Sequence, residues 1–137
     1  MLIAHPLEVL SAQECWRLLG EQRVGRIAFT DRALPAIRPL NYVRAGQNLV
    51  LRVSGDALGS RLDGQVVAFE VDEIDTAGHV GWSVVVVGTV RMVRSEAEIR
   101  RTVMMPLSWA GADHQDVLLL TVGEISGRRV HRTWTGE

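Results

Sequence analysis

The chain has 137 residues, 47% of them hydrophobic and 23% charged, with a formal net charge of −1. Those values fit one soluble domain over residues 1–137, large enough for a real core but with little room to enclose a large cofactor alone. The near-zero charge supplies no field towards nucleic acid or an anionic membrane, so neither is an expected partner.

All 15 basic residues are arginine. Without lysine there is no Schiff-base or amine-nucleophile chemistry. Cys15 is the single cysteine. It excludes an internal disulfide, fits a reducing cytoplasm and argues against a structural zinc site. Residues 1–10 lack the basic start of a signal peptide. The longest purely apolar runs, Val84–Val87 and Val117–Leu120, are far too short to span a bilayer. The expected location is the cytoplasm.

In chain order, Ser11-Ala12-Gln13-Glu14 is a capping box that opens a short helix with Cys15, Leu18 and Leu19 on one side and its end near Gly20. Val24–Thr30, Ala36–Arg44 and Asn48–Val53 read as strands, with turn compositions at Asp31–Pro35 and Ala45–Gln47. Asp56–Asp63 suits a short helical turn. Gln65–Asp72 and Val80–Val93 are strands separated by Asp75–Gly78. A second capping box, Ser95–Glu98, predicts a helix running to about Met105 before Pro106. Two further strands, Asp116–Val122 and Arg128–Trp134, close the chain.

Val80–Val93 is the most informative run. Val80, Trp82, Val84, Val86, Val90 and Met92 share one face, while Val85 and Val87 make the other apolar as well. A strand dry on both faces is covered twice, by a barrel interior and by a helix or a partner subunit. The expected fold is mainly β: an antiparallel barrel of six to seven strands with a few short helices.

The usual nucleotide fingerprints are missing: no G-x-G-x-x-G follows a strand, and there is no P-loop. His5, His79, His114 and His131 are scattered and show no metal spacing. No catalytic residue and no metal ligand can be named. One segment carries chemistry. A strand ends in Arg52-Val53-Ser54, and a glycine-bearing turn leads to Gly59-Ser60-Arg61. Guanidinium forks, hydroxyls and glycine backbone are what phosphate recognition requires. A solvated turn with two surface arginines has the same composition.

Four stretches then resemble the pyridoxamine 5′-phosphate oxidase-like family of FMN-binding split β-barrels, across nearly the whole chain. They are Arg38-Pro39-Leu40-Asn41-Tyr42-Val43; Arg52 to Leu62; Val67-Ala68-Phe69-Glu70-Val71-Asp72 continuing through Gly81-Trp82-Ser83-Val84-Val85-Val86-Val87-Gly88; and Ile125-Ser126-Gly127-Arg128-Arg129-Val130. The resemblance implies a split barrel working as a homodimer, with FMN held between the subunits. It assigns the phosphate to Arg52, Val53, Ser54, Ser60, Arg61 and Leu62. Arg38, Pro39, Leu40, Asn41 and Tyr42 line the ring, and Trp82 and Ser83 reach it from the partner. Trp109 and His131 fall on the substrate side. Val53 stands where the family often has threonine, and Arg61 where it commonly has lysine. Glu70 and Asp72 are expected to pair with arginines rather than to form a catalytic dyad.

Two functional classes follow. One is a flavin-dependent oxidoreductase acting on a small molecule, with the 5-deazaflavin coenzyme F-420 as the alternative to FMN. The other is a non-catalytic flavin or heme binder.

Overall fold

The computed structural model describes residues 8–54, 57–95, 97–98 and 115–130. Seven strands and two helices follow in the order β1 (Glu8–Val9), α1 (Ala12–Leu19), β2 (Val24–Asp31), β3 (Leu34–Ala45), β4 (Asn48–Ser54), α2 (Leu58–Leu62), β5 (Val66–Asp75), β6 (Val80–Val93) and β7 (Gln115–Val130). Every pairing is antiparallel, in the order β1-β7-β4-β3-β2-β5-β6, and β6 also pairs with β7. That last pairing closes six strands into a ring, the split β-barrel expected from the sequence.

The alternation of each strand fills the ring. Ile27 and Phe29, Leu49 and Leu51, Phe69 and Val71, Val84 and Val86, and Leu118 and Leu120 all turn inward and are buried. On β6 the even positions Trp82, Val84, Val86 and Val90 are buried, while Val85 and Val87 on the outer face are half-buried. A second small cluster, Val50, Val93 and Val117, is buried on the outer face, where β4, β6 and β7 meet.

Helix α1 begins where the capping box places it: Ser11 Oγ accepts from the Glu14 N–H at 3.1 Å. It buries Cys15, Leu18 and Leu19 against the ring, and the Tyr42 hydroxyl donates to the Leu19 carbonyl at 2.6 Å. Helix α2 packs against β4, β6 and β7. Asp63 ties it to β6, accepting from the Met92 N–H at 2.8 Å and from Arg94 at 3.1 Å. At the second capping box Ser95 Oγ accepts from the Glu98 N–H at 3.0 Å, and the remainder of that expected helix lies outside the described residues.

One expectation is corrected. The two closing strands are a single strand, β7, whose partner along nearly its whole length is β6. Two glycines in the stretch between the expected strands have structural roles. The register shifts between Val87 and Gly88, so that Gly123 is the extra residue of a bulge. Gly127 lies under α1, where a Cβ would stand 2.6 Å from Cys15 Sγ. Among the described residues no helix is long and apolar enough to cross a membrane.

Candidate functional site

The ladder between β3 and β4 stops at the pair Asn41–Arg52. Beyond it β3 stays paired with β2 down to Leu34, while Val53 and Ser54 of β4 stay paired with β7. The two strands therefore part, and alternate residues of each turn backbone N–H and C=O groups into the gap. This parting of β3 from β4 is the split of the barrel, and it produces a cleft of about 240 Å³.

Seven sequence-predicted residues line that cleft: Arg38, Pro39, Leu40 and Asn41 on one side, Arg52, Val53 and Ser54 on the other. The pleat sets Asn41, Arg52 and Ser54 on the outer surface and Leu40 and Val53 towards the core, so the cleft passes through the sheet. Arg38 is half-buried and on the same side of β3 as Leu40. Burial lowers the proton affinity of Arg52, which still leaves a guanidinium charged throughout the working pH range. Leu58 of α2 completes the lining and was missed from the sequence.

The remaining candidates sit elsewhere. Ser60 and Arg61 are exposed on α2; Ser60 Oγ lies 3.9 Å from Met92 Sδ, and Arg61 stands 3.8 Å from the Asp31 carboxylate. The side chains of Tyr42 and Leu62 are in the core, and their backbones are engaged as well: the Tyr42 N–H donates to the Arg23 carbonyl and the Leu62 carbonyl accepts from the Gln65 N–H, both at 2.9 Å. Gly59, read as a residue that admits phosphate, instead admits protein: a Cβ there would come within 2.5 Å of the Asp116 carboxylate. Trp109 and His131 lie outside the described residues.

Trp82 and Ser83 are at the start of β6, far from the cleft of their own protomer, and point to opposite faces. Trp82 turns inward and lines an opening of about 290 Å³ with Glu73, Asp75, Val80 and Arg129. Ser83 is on the outer face, where its hydroxyl donates to Glu70 Oε2 at 3.0 Å. Arg26 of β2 bridges Glu70 at 3.1 Å and Asp72 at 2.7 Å, as expected of carboxylates that pair with arginine. Burial, and then the neighbouring Asp72 carboxylate, push the Glu70 proton affinity up.

A larger groove of about 650 Å³ runs along α1, where the Arg44 guanidinium lies 5.0 Å over the Trp16 ring. None of the candidate residues lines it. No cluster of three or more His, Cys, Asp or Glu able to hold a metal occurs among the described residues.

Comparison with known proteins accords with the fold. The chain is 33% identical over 133 residues to the uncharacterized protein Rv0080 of Mycobacterium tuberculosis, covering 93% of this chain and 88% of that one. The FAD binding protein of Mycobacterium smegmatis has a similar structure, with TM-score 0.70 and 32% identity over 90% of this chain and 98% of its own. A conserved protein of unknown function from Corynebacterium diphtheriae has TM-score 0.71 and 27% identity, covering 92% and 99%. A family profile described as pyridoxamine 5′-phosphate oxidase matches residues 11–129, which span all the sequence-predicted residues except His131. The chain belongs to the pyridoxamine 5′-phosphate oxidase-like family.

Proposed function

We propose that this protein binds FMN in the gap between β3 and β4, with a second copy of the chain closing the other side, and serves as an oxidoreductase for a small molecule. The observation that carries the reading is the cleft itself. Arg52 and Ser54 line it from the outer surface, Arg38 from the core side of β3, and strand-edge backbone lies between them. Guanidinium forks and hydroxyls suit the phosphate of a flavin nucleotide.

The volume sets a limit. About 240 Å³ lies below the ~300–1,000 Å³ typical of sites that bury a whole ligand. The phosphate and ribityl chain fit; the ring needs a further wall. The outer sheet face supplies a reason for a partner, since Ile37 and Val66 on it are each more than 60% exposed. A bound flavin supplies hydride acceptance and donation, and this chain's residues bind and orient it. A second reading is FAD, favoured by the M. smegmatis relative named for it. Both share the ribityl phosphate.

Titration of flavin fluorescence is the test. FMN should bind with quenching, and Arg38→Ala with Arg52→Ala should weaken it by about tenfold or more, the scale of a lost charge-assisted hydrogen bond. FAD and coenzyme F-420 are titrated in parallel. Tighter binding of either one replaces FMN, and no binding of any overturns the flavin reading and leaves a heme binder. Sedimentation should show a species of twice the protomer mass; a monomer alone refutes the dimer.

A further inference from the structure

The register fixes which edge of β3 each backbone group faces. The Tyr42 N–H donates to the Arg23 carbonyl at 2.9 Å, on the β2 side. Backbone groups alternate in direction along a strand, and the β2–β3 ladder runs without a shift from Asn41 to Leu34. Leu40, Arg38 and Ala36 therefore also face β2, whereas Asn41, Pro39, Ile37 and Pro35 face the side of β4. On β4, Asn48, Val50 and Arg52 are opposite Ala45, Val43 and Asn41, and Ser54 follows them in direction, so its N–H and C=O turn into the gap.

The rung after Asn41–Arg52 would be Pro39–Ser54. It requires Ser54 N–H to donate to the carbonyl of residue 39, and an N–H at position 39 to donate to the Ser54 carbonyl. Proline has no N–H, and its ring stands where that proton would be. Proline is tolerated within a sheet where its nitrogen faces a free edge, and the β2 ladder loses nothing to it here. Pro35 faces the same edge, but β4 ends at Ser54 and no part of it stands opposite Pro35.

We infer that Pro39 holds the split open: lacking an amide proton where the next β3–β4 rung would form, it stops the ladder at Asn41–Arg52 and leaves the Ser54 backbone turned to whatever enters the gap. Pro39 is thus a positioning residue, acting by what it withholds from Ser54. Its effect on ligand binding rests on the flavin reading; its effect on the strands does not.

The experiment follows amide hydrogen exchange by NMR in the flavin-free protein and FMN affinity by fluorescence quenching. Wild type, Pro39→Ala and Pro35→Ala are compared. The Ser54 amide should exchange freely in wild type and about fivefold or more slowly in Pro39→Ala, the scale of a net backbone hydrogen bond. FMN affinity in that variant should fall by the same factor within about twofold, because both measurements report the fraction of molecules with the gap closed. Pro35→Ala restores a donor with nothing opposite and should stay within about twofold of wild type in both.

A loss of affinity in Pro39→Ala with Ser54 exchange unchanged makes Pro39 a contact residue only and overturns the inference. So does a Ser54 amide already protected in wild type, or an equal slowing in Pro35→Ala. Slowed exchange in Pro39→Ala together with no FMN binding by wild type upholds the inference and overturns the flavin reading. Should Pro39→Ala not fold, Pro39→Val restores the same donor and decides the question.

Discussion

Replacing Gly127 by alanine tests how α1 is seated. The new methyl carbon would stand 2.6 Å from Cys15 Sγ, 3.1 Å from Leu10 Cδ1 and 3.3 Å from the Ser83 carbonyl oxygen. Favourable contacts lie near ~3.5–4.0 Å, so the helix must retreat by about 1 Å or the strand must bend. Overpacking of this kind costs about 1–3 kcal/mol, offset by about 0.5–1 kcal/mol because alanine loses less backbone freedom than glycine on folding. The net expectation is a loss of about 1–2 kcal/mol, or about 0.5–1 M in the urea midpoint for a domain of this size. Cys15→Ala alone empties a little of the same space and costs about 1 kcal/mol. In the double variant the methyl enters the space the sulfur left, so the two losses should fall short of their sum by about 1 kcal/mol. Urea denaturation followed by circular dichroism measures all four proteins. A neutral Gly127→Ala, or strict additivity, would refute the close approach of α1 to β7.

Two further perturbations read other parts of the frame. Tyr42→Phe removes a buried 2.6 Å hydrogen bond to Leu19 and should cost about 1–2 kcal/mol at neutral pH in a thermal or urea melt. Burial pushes the Tyr42 hydroxyl pKa up, so stability is complete below the ordinary tyrosine range and is lost as pH rises from there through the raised value; the phenylalanine variant should lack that alkaline loss. Arg17 first, and then Arg129, hold the Glu14 carboxyl down at about 2, well below the usual carboxylate range. Stability from this group is therefore present above the unfolded value and disappears as pH falls towards 2, and Glu14→Gln should lower the melting temperature at neutral pH but not at about pH 2. An unchanged gap between the two proteins across that range would contradict the assignment.

The ring was legible because β2, β5 and β6 alternate, their inward residues buried and their outward ones open or half-open. Period alone also decides that Trp82 and Ser83, adjacent in sequence, serve opposite faces: one is core, the other belongs to the Arg26–Glu70–Asp72 group. The split was not legible. It depends on where the β3–β4 ladder stops, which is settled by the competing pairings with β2 and β7 and by the way this register turns the Pro39 nitrogen, not by composition alone. Gly127 and Gly59 look like turn or ligand glycines, yet each is small because another part of the chain, Cys15 or Asp116, comes too close for a side chain. Leu58 was passed over because an apolar residue on a five-residue helix reads as core, and it is buried as well as lining the cleft.

The central claim is the place of the flavin, and backbone amide chemical shifts followed during FMN addition test it most directly. The account predicts that the largest changes fall on Arg38, Leu40, Asn41, Arg52, Val53 and Ser54, with Ser83 also shifting through the partner. Changes confined to the Trp82 opening or to the groove along α1, with the β3–β4 gap silent, would contradict it.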